Sequence, residues 1–229
     1  MAVNIILIVS FSYAALLSAV MGVYTLQINK KLPQYQLFFA ASVSLSLWAL
    51  SFAMFENAAS LDQAFMWRRI GAVGIRFFYV FLLDFLIRLI YGRLSKRGRI
   101  LEYLMYIPSV ILIYVYTVSN RWSSEQFRII RTSYGWTTGS VQNFWERFFY
   151  LYYFGYVFIG IVLLVMWYKK SEDVRNKIIA RNILFSFLIT YVLGSFTDVI
   201  ANITEDVIFP EIGPILAMLQ PTSARTKPA

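Results

Sequence analysis

Five polar side chains sit inside long apolar runs of this sequence: Arg76, Asp84, Arg88, Asp198 and Asn202. Ionisable groups at bilayer depth are costly, so each is a functional candidate by default. Arg76 stands near the middle of its run. Asp84 and Arg88 follow four residues apart, a spacing that puts both on one helix face and lets them pair. Asp198 and Asn202 share a face of a later run in the same way. The chemistry open to this set is electrostatic: an interhelical ion pair, the lining of a polar cavity, or contact with a charged ligand.

Covalent chemistry has little to work with. The chain of 229 residues contains no cysteine and no histidine. That removes disulfides, thiol nucleophiles, Ser-His-Asp triads, imidazole metal sites and phosphohistidine from these residues. No Walker, dinucleotide or zinc motif appears, and no close pair of carboxylates is evident. No catalytic residue, metal or cofactor is therefore expected.

The elements that must position those polar groups follow from composition. Hydrophobic residues make up 59% of the chain and charged residues 14%, against roughly 45–50% and 25% for a soluble domain. This is the composition of an integral membrane protein. A spanning helix needs about 20 mostly apolar residues, and such segments run over about 3–27, 35–55, 65–90, 100–118, 144–168 and 178–203. A seventh opens near Ile208 and stops at Gln220, too short for a hydrocarbon core of about 30 Å. The expected fold is an all-α polytopic bundle over residues 1–220, with six full spans and a truncated seventh. Residues 221–229 form a polar tail, suggesting a truncated or shifted reading frame. Between the fourth and fifth spans, Tyr134-Gly135-Trp136 predicts a short hairpin of Phe127–Thr132 with Trp136–Val141. The sequon Asn202-Ile203-Thr204 lies at a helix end and carries little weight.

The net charge of +9 resolves into loops. Lys30 and Lys31; Arg93, Lys96, Arg97 and Arg99; and Lys169, Lys170, Arg175, Lys177 and Arg181 fall in the first, third and fifth. The second, fourth and sixth are poorer in basic residues and carry Glu56, Asp62, Glu205 and Asp206. The positive-inside rule then places the odd loops in the cytoplasm and the N-terminus outside. This accounts for the charge without a nucleic-acid partner. The third helix starts outside and the sixth inside. Side chains lean toward their own helix N-terminus, so Arg76 and Asp198 are expected to meet in the outer half as an ion pair. Asp84 and Arg88, near the inner interface, read as structural. Trp145, Trp167 and Tyr168 read as interfacial anchors.

Several stretches in order then carry a resemblance. Leu47-Trp48-Ala49-Leu50-Ser51-Phe52, ending in Phe55-Glu56, precedes Phe65-Met66-Trp67-Arg68-Arg69-Ile70-Gly71. Tyr134-Gly135-Trp136 follows in the outer loop, and Phe209-Pro210-Glu211-Ile212-Gly213-Pro214-Ile215-Leu216 opens the last segment. Over about residues 5–220 the chain resembles the N-terminal seven-helix sensor region of membrane histidine kinases. The resemblance implies a bundle with an extracellular N-terminus, in a prokaryotic cell membrane, that senses a signal and feeds a cytoplasmic kinase or other output after the seventh helix. Without histidine, these residues hold no phosphoacceptor of their own.

The reading is a sensory input module of two-component signalling, separated from kinase output. Its expected partners are the lipid bilayer, a small-molecule or physical signal, and a second copy of the chain. The alternative is a small transporter or channel, with Arg76, Asp84 and Asp198 lining the path; the absence of internal repeats speaks against it. A membrane enzyme ranks third. A retinal receptor is disfavoured, since no lysine lies at mid-membrane depth in the last segment.

Overall fold

In lipid the backbone must satisfy its own hydrogen bonds, so each long apolar run becomes a helix. The computed structural model describes the backbone of residues 2–92, 94–119, 125–132 and 135–203, and the side chains of 5–92, 94–119, 125–132 and 135–189. In chain order the elements are α1 (Ala2–Ile28), α2 (Pro33–Glu56), α3 (Leu61–Tyr91), α4 (Lys96–Leu104), α5 (Tyr106–Ile113), a π-helical turn (Tyr114–Val118), β1 (Arg128–Thr132), β2 (Gly135–Gly139), α6 (Phe144–Lys170) and α7 (Val174–Ile203). Among the described residues five stretches are long and apolar enough to cross a membrane: 5–28, 33–56, 61–91, 96–118 and 144–170. The chain is an integral membrane protein of helical class. The seventh segment and the polar tail lie outside the described residues.

Local signals set the helix ends. Pro33 opens α2, where its missing N–H costs nothing. Ser60 caps α3 by accepting from the Gln63 amide at 3.3 Å, while the Gln63 side chain accepts from the Ala59 amide at 3.0 Å. This is close to a capping box. Gly92, at φ 63°, closes the helix. Asn143 caps α6 by accepting from the Glu146 amide at 2.9 Å, and Lys169 and Lys170 stand at its C-terminal end, where the helix dipole favours cations.

The fourth span is less regular than its hydropathy predicts. Pro108 has no amide to give the carbonyl of Leu104, and α4 ends at that residue before α5 resumes at Tyr106. The span then closes in the π turn. Its exit, at Val118, matches the sequence expectation; its entry, at Lys96, comes earlier than hydropathy alone implies.

Packing is tightest between α2 and α3. A Cβ built on Gly74 would lie 2.6 Å from the Ser44 carbonyl oxygen and 2.7 Å from the Trp48 amide nitrogen. Only glycine permits that approach, and small residues at such contacts are how helices associate in lipid. The core around Trp48, Phe52, Phe78, Tyr79, Leu86 and Tyr152 runs between α2, α3 and α6. Large apolar side chains such as Ile6, Leu16, Tyr103, Leu151 and Phe158 point outward, as lipid-facing positions require.

The predicted hairpin forms. β1 and β2 pair antiparallel with Arg131 opposite Trp136. Trp136 is buried against Phe55 and Ala64, and its indole N–H donates to the Ala58 carbonyl at 2.7 Å. The hairpin is thereby fastened to the α2–α3 turn, marking one end of the bundle as the hairpin end. The turn around Lys96, Arg97 and Arg99 marks the other as the basic end.

Candidate functional site

Helix α3 carries two polar centres. Arg76 lies at its midpoint with 4% of its surface exposed. Its side chain runs back toward the helix N-terminus, and Nη1 donates to the Ala72 carbonyl at 3.0 Å. The guanidinium carbon lies 3.8 Å from the centroid of the Tyr116 ring and 4.8 Å from that of Phe149. Nε has no hydrogen-bond partner among the described residues. Two aromatic faces thus receive a cation that a hydrocarbon environment would otherwise leave at high energy.

The Arg76 backbone is as unusual as its side chain. Its carbonyl accepts from the Tyr152 hydroxyl at 2.6 Å and the Ser109 hydroxyl at 3.1 Å, and those two hydroxyls lie 2.7 Å apart. One oxygen therefore joins α3, α5 and α6. The π turn completes the arrangement. Its widened backbone sets Tyr116 over the guanidinium and lets the Thr117 hydroxyl donate to the Arg69 carbonyl at 3.3 Å. Such turns recur at functional sites. Two turns of α3 nearer the hairpin end, the Arg68 guanidinium lies 4.7 Å from the Phe52 ring centroid and donates to the Thr138 hydroxyl of β2 at 3.0 Å.

The second centre lies toward the basic end. The sequence pairs Asp84 with Arg88, yet their closest approach, Nε to Oδ1, is 3.9 Å. Arg88 is held instead by Glu102 of α4, Nε to Oε1 at 2.8 Å and Nη2 to Oε2 at 2.6 Å. The fork of a guanidinium meets a carboxylate edge better across a helix interface than along one helix face. Asp84 accepts from the Tyr106 hydroxyl at 2.6 Å. The expectation that no two carboxylates come close is corrected here: Asp84 and Glu102 flank one arginine, although they stand far apart in sequence.

The remaining candidates divide. Asp198 and Asn202 lie on the last turns of α7, where side chains fall outside the described residues, and the Arg76–Asp198 pair falls there with them. Trp145 stands at the hairpin end of α6; Trp167 and Tyr168 stand at the opposite end. Both tryptophans pack partly against the core, while Tyr168 is 41% exposed. Ser109, Tyr116, Tyr152, Glu102 and Tyr106 escaped the sequence reading. Glu102 left a signal, being the one acid in the fourth span. The tyrosines left none, since aromatic residues crowd both segments.

Both centres hold helices together through charge and hydroxyl contacts. These contacts are non-covalent and can break and re-form. A family model described as the N-terminal 7TM region of histidine kinase matches residues 10–212 of the chain. No curated protein matches it.

Proposed function

The chain belongs to the family of N-terminal 7TM regions of histidine kinases, and from that premise we propose that it is a membrane sensory input module. Its N-terminus faces outward and its first, third and fifth loops face the cytoplasm of a prokaryotic cell, following the distribution of lysine and arginine. On this reading the bundle has six full spans and a shorter seventh segment, and the partner that phosphorylation requires lies beyond these residues, which contain no histidine.

One observation carries the mechanism: the midpoint of α3 is tied at one carbonyl to α5 and α6 while its arginine rests on the π turn. A signal acting on the hairpin half, from a small molecule or from the bilayer, biases two packings around Arg76. The later helices carry the change to the cytoplasm. Asp198 serves as the countercharge of Arg76 in one of the two packings. A second copy of the chain provides the symmetric partner that kinase output needs.

Two experiments test this. The chain has no native cysteine, so Ala59→Cys and Glu172→Cys report topology directly. A membrane-impermeant maleimide applied to intact cells should label the first and spare the second; the reverse pattern overturns the orientation. Fused through its seventh segment to a histidine-kinase output, the module should change steady-state phosphorylation several-fold on Arg76→Gln. Unchanged output, together with solute uptake into vesicles that Asp198→Asn abolishes, would move the assignment to a transporter.

A further inference from the structure

Asp84, Arg88 and Glu102 gather two acids and one base in the bundle. Their side chains are 4%, 18% and 9% exposed. Arg88 gives both Nε and Nη2 to Glu102, and Tyr106 gives its hydroxyl to Asp84 Oδ2. Asp84 Oδ1 is buried with no hydrogen-bond partner and stands on the side of Arg88, 3.9 Å from its Nε. Tyr106 brings a hydrogen bond but no charge. With both acids ionised the cluster carries one uncompensated negative charge, which a low-dielectric interior penalises heavily. One proton makes it neutral.

Among the described residues the surroundings offer no other source of neutrality. From α2 this end of the bundle receives Tyr35, which is buried, and Phe38, whose ring meets that of Phe85. From α6 it receives Tyr156, whose hydroxyl donates to the Met105 carbonyl. Lys30, Lys31, Lys96, Arg97, Arg99, Arg175, Lys177 and Arg181 are exposed. Among the described residues the other buried charged groups are Arg76 at mid-helix and Glu56 at the hairpin end.

We propose that Asp84, Glu102 and Arg88 form a proton-binding site that links α3 to α4. In the bound state the proton sits on Asp84 and Glu102 is ionised against Arg88. On release the O–H bond of Asp84 breaks and the proton passes to water at the basic end. The new carboxylate then competes with Glu102 for Arg88, and the tie to α4 loosens. This assignment stands apart from the sensory reading, because its readout needs no output domain.

The test is infrared spectroscopy of the full chain in phosphatidylcholine vesicles across a pH series. A carbonyl band from a neutral buried carboxyl should give way to carboxylate bands as pH rises, while the helical amide band holds. Asp84→Asn should remove that carbonyl band. Glu102→Gln, which frees Arg88 for Asp84, should lose it at a lower pH than the unsubstituted chain. No such band at any pH where the helices persist overturns the proposal, as does a band that survives Asp84→Asn. If Asp84→Asn fails to insert, Tyr106→Phe decides. Loss of the hydroxyl on Oδ2 should move the band's frequency, and an unmoved band overturns the assignment.

Discussion

Arg76 and Tyr116 stand cation to ring, with the guanidinium carbon 3.8 Å from the ring centroid. The pairing joins the middle of α3 to the end of the fourth span through the only π-helical stretch among the described residues. A regular α-helix across Tyr114–Val118 would rotate the ring away. The local irregularity and the buried charge are therefore parts of one arrangement, and it can be weighed by double substitution.

Arg76→Met and Tyr116→Leu should be non-additive. The coupling energy is expected at about 1–2 kcal/mol, as for a desolvated cation–ring contact. Reversible unfolding in mixed micelles would measure it. Additivity within about 0.3 kcal/mol would show that the contact contributes no stability.

Gly74→Ala should destabilise the bundle by about 1–3 kcal/mol, because the new methyl meets the backbone of α2 rather than a movable side chain. Gly155→Ala on α6 is the matched control. A Cβ there meets nothing within 4 Å, so the helix should be stabilised by about 0.5–1 kcal/mol. The same unfolding assay reads both.

Trp136→Phe keeps most of the buried ring and deletes the N–H that the Ala58 carbonyl receives. The expected cost is about 1 kcal/mol. It should appear locally, as faster amide exchange across β1 and β2, with exchange in α3 unchanged. Uniform acceleration throughout the bundle would show that the hairpin supports more than its own end.

Glu102→Ala removes the bidentate partner of Arg88 and leaves Asp84, 3.9 Å away, as its remaining countercharge, so about 1.5–3 kcal/mol should be lost. Arg88→Met combined with Glu102→Leu should recover a large part of that at a pH where Asp84 keeps its proton, since the cluster then holds no charge. Thermal unfolding of the two variants side by side distinguishes the strength of the Arg88–Glu102 pair from the cost of leaving Arg88 with Asp84 alone.

Hydropathy placed the helices of the described region because lipid leaves the backbone few alternatives. Gly135 and Trp136 marked the hairpin as clearly as a turn glycine can. Arg76 was legible as a charge out of place, and Asp84 likewise. The contacts of these residues were not. Four-residue spacing suggested Asp84 for Arg88, but Glu102 reaches the guanidinium fork from another helix, and only the assembled bundle shows that meeting. Tyr152 and Tyr116 were hidden among neighbours of the same kind, since aromatic content does not reveal which ring faces inward. The π turn has no composition of its own; it follows from what Tyr116 and Thr117 must reach on α3.

The doubly bonded carbonyl of Arg76 has a mechanical consequence. It sits 15 residues from each end of α3, so at 1.5 Å per residue the two arms are each about 22 Å long. Held at its centre by two neighbours and packed closely along α2, α3 resists sliding, and any tilt must carry α2 with it. For a rigid helix, such a tilt moves the two ends equally and in opposite directions. Ser109 and Tyr152 thus act as the fulcrum of a balanced lever, with the Trp136 hairpin at one end and the Arg88–Glu102 tie at the other.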